Sequence, residues 1–219
     1  MLNPVTIGTF SRMSPEAPGL RARKKQRTRE AIVDAAMQLF AERGFDATTI
    51  ADVAAAADIA PRTFFGYFPS KEAVVFHDQE ALLASFDARL HARERDETAI
   101  DAMRAWLLEL VAANDRDAPR RAVRRRLTDE TPALAARERA NRAQFETVLT
   151  KAVAGDLGTS ADALAPHLAA AAAIATLDAL DRFHAGRELP DAEAAVAILD
   201  EALAFLRGGL RALRRSQSS

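Results

Sequence analysis

Cysteine is absent from all 219 residues, which removes disulfides, thiol nucleophiles and thiolate metal sites together. Aromatic residues make up only 6% of the chain, with a single Trp and a single Tyr. Runs of β-branched residues are scarce and alanine is abundant, so helix is the expected state along nearly the whole length. No apolar run reaches the roughly 18 residues that a membrane span requires, and no signal-peptide core follows Met1. The expectation is a soluble, cytoplasmic protein. An excess of one charge is missing too, since 30 Lys and Arg stand against 31 Asp and Glu for a net charge of −1.

The distribution of charge says more than its total. Residues 1–76 carry ten Lys and Arg against eight acids, whereas residues 77–219 carry twenty against twenty-three. Within the first part, Arg21 to Arg29 (RARKKQRTR) holds six cations and no acid. A field that local decides binding to a polyanion more than the net charge does. As an amino-terminal arm beside a reading helix, these cations track phosphates or dip into a minor groove; otherwise they form a solvated helix face.

With 49% hydrophobic residues, the chain can bury one or two cores, and nothing forces more than two domains. Residues 1–20 hold three prolines and two glycines without periodicity, which predicts a disordered tail, and Met13 within it is a second candidate start. A first helix is predicted over residues 25–43, with Ile32, Ala35, Ala36, Leu39 and Phe40 on one stripe and Gly44 as its stop. Thr48 is expected to cap a second helix that turns Ile50, Val53, Ala54 and Ala57 inward. Asp58 sits where a tight turn needs positive φ, and Ile59 plugs that turn into the core. Pro61 opens a third helix, where its missing N–H costs nothing. Ser70 caps a long fourth helix predicted to continue to residue 94. Two short helices joined by a tight turn, with cations upstream, are what a helix-turn-helix needs: one helix for the backbone and one for the major groove. Further helices are predicted over residues 98–114, 119–129, 132–154, 166–185 and 192–214, with a loop at 155–160. The fold expected is all-α, with a three-helix helix-turn-helix DNA-binding domain at 21–76 and a helical ligand-binding and dimerisation domain at 77–219.

The string ERGFDATTIADVAAAADIAPRTFFGYFPSKEAVV resembles the amino-terminal domain of TetR-family transcriptional regulators. Gly44-Phe45, Thr48-Thr49, the Ala-rich second helix, Thr63 with Phe64-Phe65, Tyr67-Phe68 and Lys71-Glu72 follow the family's order and spacing between Arg27 and Phe76. Beyond residue 80 the resemblance is architectural. It implies a homodimeric repressor on a palindromic operator in double-stranded DNA, released by a small, hydrophobic effector. Arg23, Lys24 and Lys25 are then phosphate contacts, as are Thr48 and Thr49 at a helix amino terminus. Pro61, Arg62, Thr63, Phe65, Gly66 and Tyr67 match positions that face DNA. The planar fork of Arg62 suits guanine O6 and N7. Thr63 meets a thymine methyl or a phosphate, Tyr67 donates to a phosphate, and Lys71 lies beside that phosphate. Phe64 and Phe68 point into the core. Two departures stand out: Ala60 replaces the usual Ser, a missing cap worth roughly 1 kcal/mol, and Gly66 leaves a bare spot on the reading face.

In the second half, Val196, Leu199, Leu203, Leu206, Leu210 and Leu213 repeat at spacings of 3, 4, 3, 4 and 3, a seam suited to antiparallel packing. With the small-residue-rich helix before it, this seam resembles the family's dimer interface, made by the last two helices. Phe86, Met103, Trp106, Leu107, Leu110 and Phe145 have core spacing and equally suit the walls of an effector cavity. Arg116 to Arg126 contains six arginines, either a surface side paired with acids or an anchor for a phosphorylated or carboxylated effector. His77, His91, His167 and His184 make no pair at helical spacing, so neither a metal site nor a cofactor is expected. No catalytic order of residues points to an enzyme. The alternatives are an activator or architectural DNA binder without a ligand switch and, more remotely, an enzyme in the second half.

Overall fold

A computed structural model describes residues 19–113, 118–184 and 192–217, and every regular element among them is helical. The first helix, α1 (Leu20–Arg43), begins behind Gly19 and stops at Gly44, whose φ of 83° is a left-handed stop that glycine adopts without strain. It starts earlier than expected, so the cations from Arg21 to Arg29 are helical turns rather than an extended arm. The reason is local: Arg, Lys, Gln and Ala all favour helix and nothing among them breaks it. Residues 1–18 of the expected disordered tail and Arg116 of the arginine run lie outside the described residues, whereas Leu20, the last of that tail, opens α1.

Next come α2 (Ile50–Ala56), α3 (Pro61–Phe64), α4 (Lys71–Val75) and α5 (Gln79–His91). The cap of α2 is Thr49 and not Thr48. The Thr49 hydroxyl accepts the Asp52 N–H at 3.1 Å, and the Asp52 carboxylate accepts the Thr49 N–H at 2.9 Å, a reciprocal capping box. The long fourth helix is corrected as well, because a turn at Phe76–Asp78 parts α4 from α5. Phe76 is drawn into the core with φ −109° and ψ 36°, and the His77 N–H closes on Val74 three residues back. The His77 carbonyl, left without a helical partner, accepts the Arg29 guanidinium at 2.6 Å.

The second half contains α6 (Ala99–Ala113), α7 (Ala118–Glu130), α8 (Pro132–Leu157), α9 (Leu164–His184) and α10 (Ala192–Gln217). Helix α8 runs through Gly155, past its expected end, and stops at Gly158 with φ 66°. No helix among the described residues is long and apolar enough to cross a membrane.

The side chains form two cores. The first gathers Ile32, Phe40, Val53, Phe64 and Val74 from α1–α4 with Phe68 between α3 and α4, and also takes in Leu127 of α7 and Leu134 of α8. Helix α7 is further held to α1 by the Arg120–Asp34 ion pair and by Arg126, which donates to the Ala41 carbonyl at 2.9 Å. That carbonyl is one of the orphans of a helix end, where a cation is favoured. The second core joins Phe86, Ile100, Met103, Leu149, Leu203 and Leu206. Arg104 with Asp200 and Arg207 with Asp101 clamp α10 onto α6.

Three leucines of the expected seam are placed within the chain's own core. Leu203 and Leu206 are buried inside their own subunit, and Leu199 packs against the same core. The side chains of Leu210 and Leu213 lie outside the described ones.

Candidate nucleic-acid interface

The turn between α2 and α3 rests on Asp58, at φ 53°, the positive-φ residue other than glycine among the described residues. The Ile59 N–H returns to the Ala54 carbonyl at 2.9 Å, and the Ile59 side chain packs on the first core. Helix α3 starts at Pro61 without a side-chain cap on Ala60, and its path continues as tight turns to Phe68 through N–H bonds from Gly66, Tyr67 and Phe68. Phe64 and Phe68 are buried with ring centroids 6.0 Å apart, which fixes the helix from behind. Pro61, Arg62, Phe65 and Gly66 are exposed on the other side, and Thr63 and Tyr67 are half-buried at its edges. Phe65 is 57% exposed, a large apolar group facing outward beside Arg62. A Cβ added to Gly66 would stand 3.2 Å from the Thr63 carbonyl, so a larger residue there crowds its own helix.

Other expected contacts are placed differently. Thr48 is 1% exposed and its hydroxyl donates to the Gly44 carbonyl at 2.8 Å, which takes it out of a phosphate's reach. The Thr49 hydroxyl is engaged with Asp52, and its hydrogen bond is the leading reason that the Asp52 carboxyl lies below the usual range. Lys71 turns inward: its Nζ donates to the carbonyls of Phe45 at 2.7 Å and Thr48 at 3.2 Å, over the Phe45 ring. It latches the α1–α2 loop to α4. Arg23, Lys24 and Lys25 are exposed on the first turns of α1.

Arg29 has a role that its place in a basic run conceals. Its guanidinium lies 4.8 Å from the centre of the Phe68 ring while it holds the His77 carbonyl, joining the reading unit to the turn at Phe76–Asp78. The available signal was its spacing, three and four residues before the buried Ile32 and Val33, which puts it on the inner stripe.

His77 lies in the same turn, and its imidazole is harder to protonate than usual. Burial is the first cause, Arg29 and Arg120 add to it, and Asp78 and the Val74 carbonyl oppose it. The unfolded chain therefore binds this proton more readily than the folded one. The stability it contributes is complete above the ordinary value of about 6.5 and is lost as the pH falls from there through the lowered pKa of the folded state. On acidification from about pH 7.5 to 5.5, a range that spans the ordinary imidazole pKa, the melting temperature of the protein should fall further than that of His77→Gln. Equal falls in a thermal-melt series would contradict this.

A cavity of about 800 Å³ lies among α5–α9. Phe86, Met103, Trp106 and Phe145 line it, and the three aromatic rings stand 4.8–5.9 Å apart. Leu107 and Leu110 do not: they follow Trp106, the last lining residue of α6, and pack against the second core instead. The arginine run is divided between two neighbours. Arg120 and Arg126 hold α1, whereas Arg121, Arg124 and Arg125 face the cavity. No group of three metal-binding side chains occurs among the described residues.

This arrangement has close counterparts. Residues 32–77 match the model described as bacterial regulatory proteins of the tetR family, and residues 97–211 match that of the MftR C-terminal domain. The chain is 33% identical over 159 residues to the HTH-type transcriptional regulator TcmR of Streptomyces glaucescens, covering 69% of this chain and 70% of TcmR. It is 34% identical over 139 residues to MftR of Mycobacterium tuberculosis, a transcriptional regulator named for mycofactocin biosynthesis, covering 60% and 67% of the two chains. Among solved structures, NalD of Pseudomonas aeruginosa, the secondary repressor of the MexAB-OprM multidrug efflux pump, aligns with a TM-score of 0.60 at 20% identity. That alignment covers 81% of this chain and 96% of NalD, a likeness of fold alone. With both halves matched, the chain belongs to the TetR family: it is a helix-turn-helix, DNA-binding transcriptional regulator and not an enzyme.

Proposed function

We propose that this regulator is a homodimeric repressor that reads a palindromic operator in the cytoplasm and leaves it when a small, largely apolar effector fills the cavity. One observation carries the reading. Helix α7 walls the cavity with Arg121, Arg124 and Arg125, and it also puts Leu127 into the core of the reading unit. Whatever moves α7 moves both.

A single recognition helix reads only a few base pairs, so specificity calls for two copies on a symmetric site. The exposed leucines Leu164 and Leu168, one turn apart on α9, support a partner surface on the last two helices. On the DNA, the reading assigns phosphates to Arg23, Lys24, Lys25 and the α2 amino terminus at Thr49, and bases to Arg62 with Thr63 and Phe65 beside it. Replacing Arg62 by Ala is expected to weaken operator binding by about 1–3 kcal/mol and to relax preference at a guanine. An unchanged footprint and affinity would remove Arg62 from base reading.

The switch runs through the turn at Phe76–Asp78. Arg124 on the cavity wall donates to Asp78 at 3.0 Å, and Arg29 holds His77 from the DNA side. Half-sites lie about 34–36 Å apart on the duplex, so a shift of a few ångströms spoils simultaneous docking. Such an effector binds the DNA-incompetent state more tightly, and by linkage the operator weakens its binding by the same factor, about 5–150-fold. Calorimetric titration of a releasing compound into free and operator-bound protein measures that factor. Equal affinities would leave a repressor without this switch.

A further inference from the structure

We infer that Phe65 reads the methyl group of a thymine in each half-site, at the base pair beside the guanine met by Arg62; this rests on the recognition helix reading bases through Arg62.

A large apolar side chain held in water is the informative departure in a folded protein. Phe65 is 57% exposed, while its neighbours Phe64 and Phe68 are buried in the first core. Those two rings already fill the space behind α3, leaving little for a third phenyl on the outer side to pack. Nor is that ring left loose. It meets the buried Phe64 ring nearly at right angles, 84° with centroids 5.7 Å apart, an edge-to-face arrangement that aromatic pairs favour. An apolar probe of fixed direction thus stands beside Arg62 on the DNA-facing side.

The major groove limits what such a probe can recognise. Its base edges present hydrogen-bond donors, acceptors and a single apolar group, the C5 methyl of thymine. A phenyl ring has no donor or acceptor of the kind Arg62 carries, and set against a phosphate it strips water and returns no bond. The thymine methyl is the one partner in the groove that gains by exchanging its water for the ring. Thr63 also carries a methyl, but it is half-buried at the edge of the helix, so the exposed ring is the better placed of the two.

Spacing sets which base pair is read. Phe65 keeps helical dihedrals, φ −66° and ψ −15°, so it continues the turn of α3 and stands three residues after Arg62 on the same side. A helix rises about 1.5 Å per residue, which separates the two by about 4.5 Å, between one and two base-pair steps of roughly 3.4 Å. On zinc-finger helices, residues three apart contact successive bases in this way. Gly66, exposed next to Phe65, has no side chain to hold the ring off the base edge.

The test uses the full chain and synthetic duplexes carrying the sequence selected from a random library, in which the guanine is the base whose preference Arg62→Ala relaxes. Deoxyuridine replaces the neighbouring thymine, which removes the methyl and keeps every hydrogen-bonding group. Fluorescence anisotropy should show binding about fourfold weaker per substituted half-site, the worth of one buried methyl group, and about 15-fold weaker with both substituted. Phe65→Ala should bind the two duplexes equally, and its salt slope should match that of the parent protein because no charge is lost. Equal binding of both duplexes by the parent protein overturns the proposal, and so does a selected site with no thymine beside that guanine. So does a Phe65→Ala protein, folded by circular dichroism, that still discriminates, since another side chain then reads the methyl. If Arg62→Ala relaxes no base preference, base reading through Arg62 fails first, and this proposal with it.

Discussion

Truncating Leu127 to Ala is expected to destabilise the protein by about 2–5 kcal/mol and to abolish operator binding near physiological temperature, although Leu127 lies far from the reading helix in sequence. The side chain is completely buried in the first core, together with Ile32, Phe40 and Phe64. Its removal leaves a cavity where α7 meets the reading unit, and that loss is a large part of the 5–15 kcal/mol typical of a folded domain. The decisive comparison is the denaturant midpoint of Leu127→Ala against the parent protein. A change below about 1 kcal/mol, the typical value for an ordinary substitution, would show that α7 merely rests against this unit. It would also remove the physical link on which effector release depends.

A second large effect is expected from α1. Replacing Arg21, Arg23, Lys24 and Lys25 together by Gln keeps the helix, because Gln has nearly the helix propensity of Lys and Arg, and removes four cations from its exposed first turns. Each DNA phosphate that is no longer neutralised lowers the slope of log affinity against log salt by about 0.9, so the slope should drop by up to roughly 3.6. Affinity for every sequence should fall, on the order of 10²–10³-fold at moderate salt, with the order of preferred sequences unchanged. Fluorescence anisotropy across a salt series reads both quantities. An unchanged slope would place these turns away from the DNA.

The reading unit was legible in the sequence because its rules are local. Pro61 at a helix start and Asp58 at a positive-φ turn each follow from the properties of one residue, and the resemblance implied the inward Phe64–Phe68 pair. The break at Phe76–Asp78 was not legible. KEAVVFHDQEALL contains neither Pro nor Gly, and the helix yields there to tertiary forces: Phe76 is drawn into the core and Arg29 takes a carbonyl from 48 residues away.

Placement of single groups divides the same way. Thr48 was the expected cap, yet its neighbour Thr49 has Asp52 three residues ahead for a capping box, while Thr48 finds the Gly44 carbonyl. Lys71 was expected beside a phosphate, and its inward turn was hidden because the Phe45 ring and carbonyl that receive it stand 26 residues earlier. The leucine seam on α10 announced burial correctly, but periodicity does not say which surface buries it. Here Leu203 and Leu206 face their own subunit.

The central claim is that two copies of Arg62 and its neighbours read one symmetric site. Selection of bound duplexes from a random-sequence library, followed by sequencing, tests it directly. The account predicts a palindrome whose half-sites are centred about 10 base pairs apart, or a multiple of that spacing. A selected motif without twofold symmetry, or no enrichment beyond that obtained with Arg62→Ala, would contradict it.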